Sequence, residues 1–117
     1  MKDRTTRKAL VDSYKLALRP MGIASITNRV NGKRLIEQSM NLTATFNRHR
    51  TELRFGTHRN KALLADWRSH GEANFDFEIL QAIEERPEPD FDYAAELADF
   101  LAAWRIRIPP GSALSYL

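Results

Sequence analysis

Residues 22–38 read GIASITNRVNGKRLIEQ. Two runs rich in aliphatic and β-branched residues, 22–28 (GIASITN) and 33–38 (KRLIEQ), flank a turn built on Asn31-Gly32. Both turn residues tolerate the positive φ of a tight type I′ turn, so the spacing predicts an antiparallel hairpin. Further along, FDFEIL (75–80) alternates Phe75, Phe77 and Ile79 on one face, which predicts a third strand.

Helical patterns fill the space around these strands. Over residues 5–18, Leu10, Val11, Tyr14 and Leu18 recur at helical spacing, and Pro20 stops the helix. Residues 41–54 predict a second helix with Asn41 as N-cap, a stripe of Leu42, Phe46 and Leu53, and Gly56 as its left-handed stop. Thr57 is the expected cap of a third helix, 58–70, which buries Leu63, Leu64 and Trp67 before Gly71. A fourth, 92–106, aligns Tyr93, Leu97, Phe100, Leu101 and Trp104. The order α-β-β-α-α-β-α predicts a small α/β domain of the α+β type, a three-stranded antiparallel sheet flanked by helices. One domain is expected over 1–117: an N-terminal helical extension (1–20), a core (21–80) and a C-terminal helix and tail (92–117).

Composition sets the outer limits. The chain has 117 residues, 43% hydrophobic and 28% charged, enough for one buried core. It has no cysteine, which excludes disulfides, thiolate zinc sites and cysteine catalysis, and fits a cytoplasmic location. No apolar run approaches the roughly 20 residues of a membrane span, so no membrane partner is expected. MKDRTTRKAL is followed by no apolar stretch and does not read as a secretory signal. The net charge is +3, unevenly spread: residues 1–71 hold 15 Lys/Arg against 5 Asp/Glu, whereas 72–99 hold 10 Asp/Glu and one Arg. Either the basic part meets a polyanion, or the two parts neutralise each other within the fold.

The hairpin, followed by NLTATFNRHRTELRFGTHRNKALLADWRSHGEANFDFEIL (41–80), resembles the GIY-YIG nuclease domain, and specifically its small one-domain bacterial members. The likeness rests on the order and spacing of the hairpin, Asn47–Glu52, His58–Lys61 and Trp67–Leu80. It covers 21–80 well and the remainder more weakly. The resemblance implies metal-assisted phosphodiester hydrolysis, using two strand tyrosines, a helix arginine and a glutamate on a late helix that holds a divalent cation.

Carried onto this chain, that machinery is largely replaced. The first tyrosine position is Ala24. Leu35 and Glu37 stand where the second signature has tyrosine and glycine. Thr45 takes the arginine position, and Leu101 the metal-binding glutamate position. His49 alone is retained. Leu117 falls where many members carry an asparagine. Methyl, isobutyl and hydroxyl groups neither bind a hard cation firmly nor supply a full positive charge. No metal and no cofactor are therefore expected. Mg²⁺ or Mn²⁺ enters only if a rearranged set works as a nuclease, drawn from Glu37, Arg48, His49, and Glu96 or Asp99.

Glu37 is open to two readings: a relocated ligand or block of the old cleft, or a strand-end carboxylate paired with Arg34 or Arg48. His49 reads as a packed or hydrogen-bonded histidine beside Arg48, and Arg48 as a surface residue near Glu52. His58 reads as a cap-region residue and His70 as a partner of a helix C-terminus. Met21 and Met40 read as packing residues. Ala94, Ala95, Ala98, Ala102 and Ala103 suit close helix approach, within the domain or in a homodimer. The central helices carry Arg48, Arg50, Arg54, Arg59, Lys61 and Arg68 against only Glu52 and Asp66, a basic surface suited to phosphate oxygens. The reading reached is a nucleic-acid-binding domain, DNA being the expected partner, with weak or no cleavage. The alternatives are an active metal-dependent DNA endonuclease and a protein-interaction module using the acidic segment 84–99.

Overall fold

The computed structural model describes residues 20–117, so the helix expected over 5–18 lies outside the described residues. Strands β1 (Met21–Asn28), β2 (Arg34–Ser39) and β3 (Phe75–Ile83) form one sheet in the order β2-β1-β3. Both neighbours of β1 run antiparallel to it, as the sequence predicts. Helices α1 (Leu42–Phe55) and α2 (Lys61–His70) follow the hairpin, a 3-10 turn (Glu72–Asn74) leads into β3, and α3 (Tyr93–Arg107) comes last.

The hairpin loop is longer than the expected two-residue turn. The Asn28 N–H donates to the Lys33 carbonyl at 2.9 Å, which leaves four loop residues, 29–32. Gly32 has φ +77°, but Asn31 keeps a negative φ, which excludes type I′. Side chains stabilise this form: Asn28 Oδ1 accepts the Val30 N–H and Asn31 Oδ1 the Lys33 N–H.

Each sheet face buries its own apolar cluster. Against α1 and α2 lie Ile26, Leu35, Leu53, Leu63, Trp67 and Phe75. Against α3 lie Ile23, Ile36, Ile83 and Leu97, with Phe100, Leu101 and Trp104 packed on them. A bulge in β3 connects the two. Ile23 pairs with Gln81 and Ala24 with Ile79, so Leu80 is unmatched. One extra residue reverses the alternation of side chains. Phe75 and Phe77 therefore serve the first cluster, and Leu80 and Ile83 the second. Ile79, expected in the core beside the phenylalanines, is 48% exposed. Its cross-strand row continues through Ala24 to Glu37, which supply little apolar surface.

Helix caps set where the site elements begin. Asn41 Oδ1 accepts the Ala44 N–H at 3.1 Å, and Gly56 closes α1 with φ +76°, both as expected. Helix α2 starts three residues later than expected, because Asn60, not Thr57, is its cap: Asn60 Oδ1 accepts the Leu63 N–H at 3.0 Å. The stripe of α1 is Leu42, His49 and Leu53, whereas Phe46 is half-buried with its ring edge-on to Phe77. Met40, expected to pack, is exposed, and so are the five alanines of α3, whose opposite face meets the sheet.

The tail closes the fold. The Arg34 N–H donates to the Leu114 carbonyl and the Tyr116 N–H to the Arg34 carbonyl, which covers the outer edge of β2. Among the described residues, no helix is long and apolar enough to cross a membrane.

Candidate functional site

Ala24 and Glu37 are directly opposite each other on β1 and β2, so their side chains share a sheet face. Ala24 is small and buried, and Glu37 reaches past it to α1. There the Nε2–H of His49 donates to Glu37 Oε1. Arg48 Nη2 lies 3.5 Å from the same oxygen, and Arg48 Nε lies 3.6 Å from Glu52 Oε1. An open cleft of about 660 Å³ lies outside this corner, lined by Glu37, Ser39, Asn41, Thr45, Arg48 and Arg59 among others. The Ser39 and Thr45 hydroxyls are 2.7 Å apart and share one hydrogen.

Behind Glu37 the hydrogen bonds continue inward. His49 Nδ1 and His58 Nε2 are 2.7 Å apart, and His58 Nδ1 accepts the Asn60 N–H at 3.0 Å. The ring centroids are 5.0 Å apart with planes 28° from parallel. That separation matches the nitrogen distance plus two ring radii, so the rings meet edge to edge rather than face to face.

The direction of every bond follows from the Asn60 N–H. With Nδ1 of His58 an acceptor, its Nε2 carries the proton and donates to His49 Nδ1. His49 Nε2 then carries its own proton and donates to Glu37. Both rings are neutral in this arrangement. Burial, and then the charge on His49 were it protonated, push the His58 pKa down. Burial pushes Glu37 up, but the His49 hydrogen bond and the charges of Arg48 and Arg59 outweigh it, so the carboxyl lies below its ordinary range.

One atom each of His49, Glu52 and His58 lies within 4.8 Å of the others, close enough to suggest a cation. The donor chemistry argues otherwise. A metal-bound imidazole presents a bare nitrogen to the ion and its N–H to an outer acceptor. His58 has the reverse environment, because a backbone N–H already occupies Nδ1. The trio is therefore better suited to a hydrogen-bonded chain.

The expected site residues divide among these surroundings. Glu37, Thr45, Arg48 and Arg59 line the cleft, with His49 buried behind Glu37. Leu35 belongs to the first apolar cluster, while Leu101 packs against the second. Arg50 lies over the Phe77 ring at 4.2 Å, and Arg54 makes a two-pronged pair with Glu72 at 2.8 and 2.6 Å. Lys61 and Arg68 are exposed. Glu96 is paired with Arg86 and does not line the cleft. Sequence reasoning did not pair His58 with His49. The available signal was a helix-ending Gly56 between two histidines nine residues apart, which lets the chain double back.

The three-stranded antiparallel sheet with this helix arrangement is a GIY-YIG-like fold. Among solved structures, the chain is similar to the catalytic domain of the homing endonuclease I-TevI, with a TM-score of 0.63 and 22% identity over 81% of this chain and 96% of that one. A variant of the same intron endonuclease domain gives a TM-score of 0.61 at 22% identity, over 75% of this chain and 82% of that one. No family model and no curated protein matches the chain.

Proposed function

We propose that this domain binds nucleic acid, DNA foremost, through the β2–α1 cleft and the adjoining basic helices, with weak or no cleavage. The observation that supports the reading is the content of the cleft. It offers Arg48 and Arg59 to phosphate oxygens, and Thr45 stands there at the position that resembles the catalytic arginine's. The fold belongs to a DNA-cleaving endonuclease domain, which makes a phosphodiester the natural ligand class. The binding expected is to the backbone with little sequence readout, since donors aimed at phosphates carry no base information.

A second reading has its own observation. Glu37, Arg48 and His49 converge in one corner, so a carboxylate and a guanidinium face the same space. That pair could position water and offset charge in a metal-dependent cleavage. One experiment separates the two: single- and double-stranded DNA incubated with Mg²⁺ or Mn²⁺ beside a binding titration over a range of salt. Salt-sensitive binding with intact DNA is expected. Cleavage that EDTA abolishes would establish the second reading instead. Absence of binding at low salt would defeat both.

A further inference from the structure

The same corner holds an anion of the protein's own. Glu37 Oε1 accepts the His49 proton, lies 3.5 Å from Arg48 Nη2, and feels the charge of Arg59 across the cleft. A carboxylate offers a guanidinium the same kind of paired acceptor oxygens as a phosphate. What converges on one can hold the other. We propose that Arg48 and Arg59 form a phosphate subsite whose resident occupant is the Glu37 carboxylate, and that a ligand phosphate takes its place.

Three observations support exchange over a fixed ion pair. Arg48 is divided between Glu37 and Glu52 at 3.5 and 3.6 Å, longer than a tight charge-assisted hydrogen bond, and its side chain is half exposed. Arg59 has no ion-pair partner among the described residues, yet it lines the same cleft. The Ser39–Thr45 pair uses only one of its two hydroxyl hydrogens internally, which leaves a neutral donor at the cleft wall. Two arginines against Glu37 and Glu52 leave the corner without net charge. An incoming phosphate is therefore attracted only as far as Glu37 withdraws. When Glu37 leaves, its His49 partner stays in place through His58.

The proposal deepens the nucleic-acid reading, and the test is built to separate them. Inorganic phosphate is titrated into the parent and Glu37→Gln proteins while the arginine side-chain N–H signals are followed by NMR. The glutamine oxygen still accepts the His49 proton, so the chain of histidines is kept. Phosphate is expected to bind Glu37→Gln about tenfold more tightly than the parent, through Arg48 and Arg59. Arg48→Gln on that background is expected to lose the gain, whereas Arg54→Gln keeps it. Equal phosphate affinity in parent and Glu37→Gln, or movement of other arginines only, overturns the subsite. Should Glu37→Gln fail to fold by circular dichroism, Glu37→Ala serves the same comparison.

A short single-stranded oligonucleotide is titrated in parallel to identify the source of the phosphate. Tighter oligonucleotide binding by Glu37→Gln assigns the subsite to a phosphodiester. Tighter phosphate binding with no oligonucleotide binding by either protein keeps the subsite, for a free phosphate or monoester, and removes the nucleic-acid reading. Oligonucleotide binding that is equal in the two proteins, with equal phosphate affinity, keeps that reading and removes the exchange.

Discussion

A single backbone N–H decides the protonation of the buried pair. Because Asn60 donates to His58 Nδ1, both His58 and His49 are held as Nε2–H tautomers. Nitrogen-15 imidazole spectra at pH 7.5 are expected to show two Nε2–H rings; an Nδ1–H signal from either histidine would contradict the assignment. The pH dependence of stability follows from two depressed pKa values. His58 is favoured neutral in the fold, so its contribution is present above its ordinary value near 6.5 and falls away as the pH drops through that value towards the folded one. Glu37 is favoured ionised, so its contribution is present above its ordinary value near 4.5 and is lost as the pH falls through its lower folded value. Urea denaturation carried from pH 8 to about pH 2 is expected to show loss in both windows. His58→Gln should flatten the upper one and leave the lower.

Two elements depend on close backbone contact. A Cβ at Gly22 would come 1.9 Å from the Gln81 carbonyl oxygen, beside the bulge that reverses β3. The obstacle is paired backbone, which cannot swing aside. Gly22→Ala is therefore expected to destabilise by about 3 kcal/mol or prevent folding, whereas Gly111→Ala, with no atom near its Cβ position, should cost about 1 kcal/mol from its positive φ alone. Chemical denaturation of the two variants provides the comparison. At the tail, Tyr116 donates to Asp66 at 2.7 Å and accepts from Asn28 at 3.1 Å, and burial first, with Asp66 adding, pushes its pKa up to about 12. The raised value means that the contribution is present below pH 10 and lost as the pH rises through 12. Tyr116→Phe is expected to cost about 1–2 kcal/mol, the usual consequence of leaving buried partners short of a bond. An unchanged denaturation midpoint would show the tail to be a passive edge cover.

The charge asymmetry of the sequence is partly resolved by the folded chain itself. Arg54 goes to Glu72 and Arg29 to Asp76, so the acidic stretch after residue 71 neutralises some of the basic surface. Arg59 and Lys61, at the start of α2, have no ion-pair partner among the described residues. Arg59→Gln with Lys61→Gln is expected to weaken DNA binding equally for unrelated sequences and to lower the log–log salt slope by about two units, one per lost phosphate contact. Arg54→Gln, at a position already satisfied by Glu72, should change the slope by less than either. If the double variant retains the parent's slope, the basic helices are only a solvated face.

Periodicity located the strands, and α1 and α3 nearly to the residue, because alternation of two and recurrence near 3.6 are imposed by local geometry, while the short loop at Asn31-Gly32 made the antiparallel pairing of β1 and β2 legible. Asn41 and Gly56 were legible for the same reason, since a cap is satisfied within one turn. What tertiary structure decided is everything set by contacts between elements. The Leu80 bulge sends Leu80 and Ile83 to the second cluster, and Ile79 is left exposed because its cross-strand row runs through Ala24 to Glu37; the alternation of FDFEIL reveals neither. The meeting of Glu37, His49 and His58 needs β2, α1 and the loop before α2 in one place. Its geometry rests on the Asn60 N–H, a backbone group present at nearly every residue and given its role only by the fold.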